Sequence, residues 1–116
     1  MAPVAKLTAT DLHGRGKMAE HPLKIFEKID PELLGLVQST NALAITDGAL
    51  PRKFKLLIAM ALDAAHGAAE GVKALAEQAM KAGATKEEIA EAIRVAQYIS
   101  GVGSVYTAAR AFKDLF

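Results

Sequence analysis

The 116-residue sequence has no cysteine and no tryptophan. A chain without thiols forms no disulfide, offers no thiolate to a metal and performs no thiol redox chemistry. The same absence leaves the redox compartment open. Net charge is also close to missing: 14 Lys and Arg against 13 Asp and Glu give +1, so no strong field selects nucleic acid or an anionic membrane. No uninterrupted apolar run reaches the ~18 to 20 residues that span a bilayer, and none is flanked like a signal peptide. These absences predict a soluble, cytoplasmic protein with no nucleic-acid partner, no membrane partner and no cofactor.

What the chain does have is aliphatic side chain and alanine. Such a composition, with few β-branched runs, favours helix throughout. The length fits one domain with a single core. The expected fold class is all-α, a compact bundle of five or six helices around a central pair. Residues 1–20 read as an N-terminal arm and 21–116 as the domain.

The central pair is read from residues 51–85. From Pro51 to Ala65 the chain is apolar on nearly every face after Lys55, the mark of a helix buried all round. Ile58 and Ala61 are therefore expected inside. Arg52, Lys53 and Lys55 crowd the start of this helix, where cations are mildly unfavourable. They read as a solvated or subunit-facing cluster, or as partners of carboxylates or an anion. His66-Gly67 is the joint. Beyond it Ala68, Val72, Leu75, Ala76 and Ala79 form one stripe of an amphipathic helix. Gly83 closes that helix, and Thr85 to Glu88 form a capping box for the next.

Upstream, Asp30 and Pro31 mark a helix start as N-cap and first residue. The helix they open carries Leu33, Leu36, Val37, Thr40 and Ala44 on its inner stripe. A shorter helix after His21-Pro22 turns Leu23, Phe26 and Ile29 inward. His21 reads as a surface residue, with a proton shuttle as the alternative. In the arm, His13 precedes a Gly14-Arg15-Gly16 run whose amides suit an anion, although a plain arm explains it equally. Downstream, Ile89, Ala92, Ile93, Ala96 and Ile99 are expected inside. Gly101 and Gly103 end that helix and Ser104 caps the last one. The last helix has Val105, Ala108, Ala109, Phe112 and Leu115 or Phe116 as its apolar stripe. Tyr98 and Tyr106 are expected to donate to backbone carbonyls in apolar surroundings.

The run Lys81-Ala-Gly-Ala-Thr-Lys-Glu-Glu-Ile-Ala-Glu-Ala-Ile93 resembles the carboxymuconolactone decarboxylase family, which includes the alkyl hydroperoxidase D-like proteins. Leu50-Pro51-Arg52, Leu57-Ile58-Ala59, Ile99-Ser-Gly-Val-Gly103 and Tyr106-Thr-Ala-Ala-Arg110 extend the resemblance over roughly residues 30 to 115. It implies the alkyl hydroperoxidase D-like fold, a decarboxylase or peroxidase activity, and a homo-oligomer, either a trimer or a hexamer. The peroxidase branch carries a Glu, a Cys-x-x-Cys pair and a His. Placed without gaps, these fall at Leu56, Ala68, Gly71 and Leu75, so the chain resembles a divergent member whose site positions hold no reactive group. Those four residues are the expected pocket lining.

One polar set competes for a role. Asp63, His66 and Glu70 share a face if the two central helices run on unbroken. Such a face suits acid–base work or part of a metal site, whereas an ion-pairing surface with Lys73 explains it structurally. With a single histidine in the set, no metal site is assigned. Two functions follow. The first is a non-thiol protein that binds a small organic ligand or serves in an assembly. The alternative is a small enzyme, decarboxylase or hydroperoxidase-like by resemblance, using acid–base groups near His66. Phe112, Leu115 and Phe116 at the end of the chain read as an exposed patch, and such patches usually mark contacts.

Overall fold

Capping chemistry sets the helix starts. The computed structural model describes residues 21–116; the arm, with His13 and Gly14-Arg15-Gly16, lies outside the described residues. A 3-10 turn over Pro22–Ile25 runs into α1 (Phe26–Ile29), followed by α2 (Pro31–Ile45), α3 (Arg52–Ala65), α4 (Ala69–Lys81), α5 (Lys86–Ser100) and α6 (Gly103–Phe112). The fold is all-α, with six α-helices and no strand among the described residues. The chain divides into two units, one ending at Thr46 and the other Asp47–Phe116.

In the first unit, Asp30 accepts the Leu33 N–H at 3.0 Å with Pro31 as first helical residue. This satisfies one of the amides that a helix start leaves free. His21 is not the surface residue the sequence suggested. It is buried, and its Nδ1 accepts the Leu23 N–H at 3.0 Å, capping the 3-10 turn. Leu23 and Phe26 are half-buried but Ile29 is exposed. The inner stripe expected on α2 is not formed: none of its residues is buried, and Leu33, Leu36 and Leu43 are exposed. Only Glu32 is charged along this helix, so apolar residues fall on every side and no single face is marked out.

In the second unit, α3 and α4 form an antiparallel pair. Asp63 near the end of α3 lies against Gly71 in the first turn of α4, and Arg52 at the start of α3 reaches Gln78 near the end of α4 at 3.2 Å. Helix α3 sends Leu56, Leu57, Met60 and Ala64 inward. It is not buried all round: Phe54, Ile58 and Leu62, at i, i+4 and i+8, stand exposed, and Ala61 is half-buried. Four helices supply only enough contact for one side of α3; the opposite stripe is left to solvent. Helix α4 is the more enclosed, with Val72, Ala74, Ala76, Gln78 and Ala79 buried against α3 on one side and α6 on another.

The capping box at Thr85 is complete. Thr85 Oγ1 accepts the Glu88 N–H at 3.0 Å, and Glu88 Oε1 accepts the Thr85 N–H at 2.9 Å. Glu88 also meets Lys53 at 3.1 Å, pinning the starts of α3 and α5 together. Asp47 takes the Arg52 N–H, so the basic cluster that opens α3 finds acceptors within the chain.

The last helix turns differently from expectation. Its inner line is Ser104, Thr107, Ala108 and Ala111, while Val105 and Ala109 are exposed and Phe112 and Leu115 half-buried. Small side chains at a helix contact let the axes approach closely, and α4 offers mainly alanine in return. Ser104 does not cap: it lies inside α6, and its hydroxyl donates to the Ala96 carbonyl of α5 at 3.5 Å. On α5, Ile89, Ile93 and Ala96 are buried and Ala92 half-buried, but Ile99 is exposed. Tyr98 and Tyr106, expected in apolar surroundings, are exposed as well.

Candidate functional site

The α3–α4 pair carries every site position read from the sequence. Asp63, His66 and Glu70 do not share a helix face, because the helix stops at Ala65 and restarts at Ala69. Gly67 makes that break at φ 80, a backbone conformation that side-chain-bearing residues rarely adopt. His66 caps α3 and is exposed; Glu70, in the first turn of α4, is exposed too. Asp63 is half-buried and turns the other way, its carboxylate pressed on the Cα face of Gly71 so closely that a Cβ there would lie 2.9 Å from Asp63 Cγ. The N-cap of α4, Ala68, supplies no side-chain hydrogen bond. A carboxylate over that first turn faces the positive end of the helix, which gives Asp63 a structural role. Lys73 does not join the set; its nearest carboxylate is Asp114, at 3.9 Å.

The four positions implied by the resemblance separate along the pair. Ala68 is exposed at the joint and Gly71 lies beneath Asp63. Leu56 is seven residues before Asp63, ~10 Å back along α3, and Leu75 is four residues after Gly71, ~6 Å on along α4. Leu56 is 0% exposed and Leu75 half-buried. Met60, Val72 and Ala76 of the same pair are equally sealed.

Two polar residues of α4 were not singled out by the sequence. Gln78 is buried and accepts from Arg52. Glu77 has an oxygen, Oε1, that is shielded from solvent without a hydrogen bond. Glu77 read as lying off the apolar stripe of this helix, and no sequence signal marked Gln78. Near the α3 start, Glu88 is held below the ordinary glutamate range, first by the Thr85 N–H and then by Lys53. Among the described residues no three His, Asp or Glu side chains gather to hold a metal ion, and no helix is long and apolar enough to cross a membrane.

The sequence model of the Carboxymuconolactone decarboxylase family matches residues 31–114. Among solved structures, the chain is similar to apo-lpg0406, a carboxymuconolactone decarboxylase family protein from Legionella pneumophila, with 37% sequence identity and a TM-score of 0.73. That match covers 78% of this chain and 81% of the other. No curated protein matches.

Proposed function

The chain belongs to the carboxymuconolactone decarboxylase family, and we propose that it serves there as a cytoplasmic, self-associating protein that binds a small organic ligand or builds an assembly, without the family's thiol chemistry. The observation that carries this reading is the complete burial of Leu56. Where the resemblance places a carboxylate, the chain has a sealed hydrocarbon side chain. A buried carboxylate there would need a charge or hydrogen-bond partner, and Arg52, one turn back on α3, is already bonded to Gln78 at 3.2 Å. The cysteine positions hold Ala68 and Gly71, and Gly71 has its open side taken by Asp63. Self-association draws support from the exposed apolar stripes of the second unit, since closed symmetry is the usual way to cover such surfaces.

The competing reading, an acid–base enzyme near His66, loses its shared helix face at Gly67. The two are separated by assay. Metal-free protein is incubated with an organic hydroperoxide and a dithiol, and in parallel with small organic acids and lactones, beside a His66→Ala variant. The expected outcome is no turnover above buffer in either assay, with thermal-shift stabilisation by at least one small organic ligand or a stable assembly by light scattering. Peroxide turnover by the wild type, or decarboxylation lost in His66→Ala, overturns the proposal.

A further inference from the structure

We infer that the corner between α5 and α6 is the face on which a second copy of this chain docks. The inference rests on the self-association proposed above and names its surface. Gly101 makes the corner at φ 87 and ψ 179, a backbone open to glycine and poorly tolerated by other residues. Around it Val95, Tyr98, Ile99, Val102, Val105 and Tyr106 stand exposed. Tyr98 is 82% exposed and Ile99 76%. They cannot turn inward, because the inner lines of both helices are already filled by Ile89, Ile93 and Ala96 on one and by Ser104, Thr107, Ala108 and Ala111 on the other.

Size points to an occupant. The two tyrosines, 82% and 66% exposed, present on the order of 300 Å² by themselves, and the four aliphatic side chains add to a face that is to be set against the ~800 Å² each partner gives a standard interface. A monomer rarely leaves a contiguous apolar patch above ~300–600 Å² uncovered. Tyrosine is the residue type that suits the centre of such a contact, since it buries a large rigid ring while its hydroxyl finds a polar partner. A second copy fits because the chain carries a net charge of only +1, so like copies repel little. A two-fold contact then sets each corner against its own counterpart. Within the second unit the rival faces are smaller. The α3 stripe has three residues, and Phe112 and Phe116 already close edge to face on each other at 5.7 Å.

Light scattering at micromolar concentration tests it, on the wild type, a Tyr98→Glu/Ile99→Glu double variant and an Ile58→Glu control. The expected result is a wild-type mass that is a multiple of 12.2 kDa, a loss of at least half that mass in the double variant with its helical circular dichroism kept, and no loss in the control. Tyr106→Ser, a milder change on the same face, gives the same reading if the double variant loses helix. An oligomeric wild type whose corner variants keep full mass overturns the corner and leaves self-association standing. A wild type at 12.2 kDa overturns both. If that monomer co-sediments with phosphatidylcholine vesicles, the corner belongs to a lipid surface instead.

Discussion

Adding one methyl group at Gly71 should destabilise the protein, although it sits in a helix where alanine is normally the better residue. Gly71 is the third residue of α4, and replacing glycine by alanine inside a helix ordinarily gains ~0.8 to 1 kcal/mol. Here the new Cβ would lie 2.9 Å from Asp63 Cγ and closer still to Oδ2. Asp63 has a short side chain and must leave its rotamer, at ~0.5 to 1.5 kcal/mol. It then loses its place over the α4 N-terminus, worth ~0.3 to 2 kcal/mol for a partly buried carboxylate. Taking the middle of these ranges, Gly71→Ala should lower stability by about 1 kcal/mol. In an Asp63→Ala background the obstruction is gone, so the same substitution should stabilise by ~0.8 to 1 kcal/mol. The double-mutant cycle should thus show a coupling of about 2 kcal/mol, measured by urea denaturation at one fixed protein concentration because assembly would shift apparent stability. Gly71→Ala that stabilises the wild type, or a cycle that sums to zero, refutes the reasoning. The same obstruction applies to cysteine, so a Cys-x-x-Cys pair at Ala68 and Gly71 cannot be restored without displacing Asp63.

Two further predictions concern single carboxylates. Glu88 has its native pKa lowered by the Thr85 N–H and by Lys53, so its contribution is present above the unfolded value of 4.5 and is lost as pH falls through the lower native value. Denaturation from pH 7 down to pH 3 should show a smaller acid-limb loss in Glu88→Gln than in the wild type; parallel limbs would show that the capping box carries no such linkage. Glu77 holds one oxygen away from water without a partner, a situation that costs ~1 to 3 kcal/mol. Glu77→Leu should therefore be neutral or stabilise by up to about 1 kcal/mol, seen as a thermal midpoint a few degrees higher, and a drop of that size would mean that Glu77 makes an interaction the fold depends on.

Most helix boundaries and two of the caps were legible in the sequence because they are local, whereas Ser104 does not cap and His21 does. Asp30 with Pro31 and Thr85 with Glu88 each act within four residues, and both form as the pattern implies. Which side of a helix faces inward is not local; the reading held for most of α4 and α5 and failed on α2, α3 and α6. Helix α2 has one charge and α3 has none between Lys55 and Asp63, so neither sequence marks an outer face. Large residues were assumed to be inside. In α6 the reverse holds: Val105 and Tyr106 point out while Ser104 and Thr107 are buried, because the tight approach to α4 admits only small side chains. The shared face failed for a third reason. Asp63, His66 and Glu70 were placed on one face by counting through Gly67, and a single residue of positive φ redirects everything after it.

The loss of the family's reactive groups and the integrity of the core are connected at Leu56. A catalytic carboxylate on this face of α3 would have to be kept charged inside hydrocarbon, which is stabilised only by nearby polar partners. Such sites are strained features that a fold carries for the sake of activity. With leucine there, the side chain instead adds ~1.5 to 3 kcal/mol of burial, and it is fully sealed from solvent. No thiol remains for a carboxylate to serve, since the chain has no cysteine. The positions of the missing site thus no longer depend on one another through chemistry. Leu56 answers to packing, Gly71 to Asp63 and Ala68 to the turn at Gly67. What the structure shows of this pair of helices is the fit of α3 and α4 to each other.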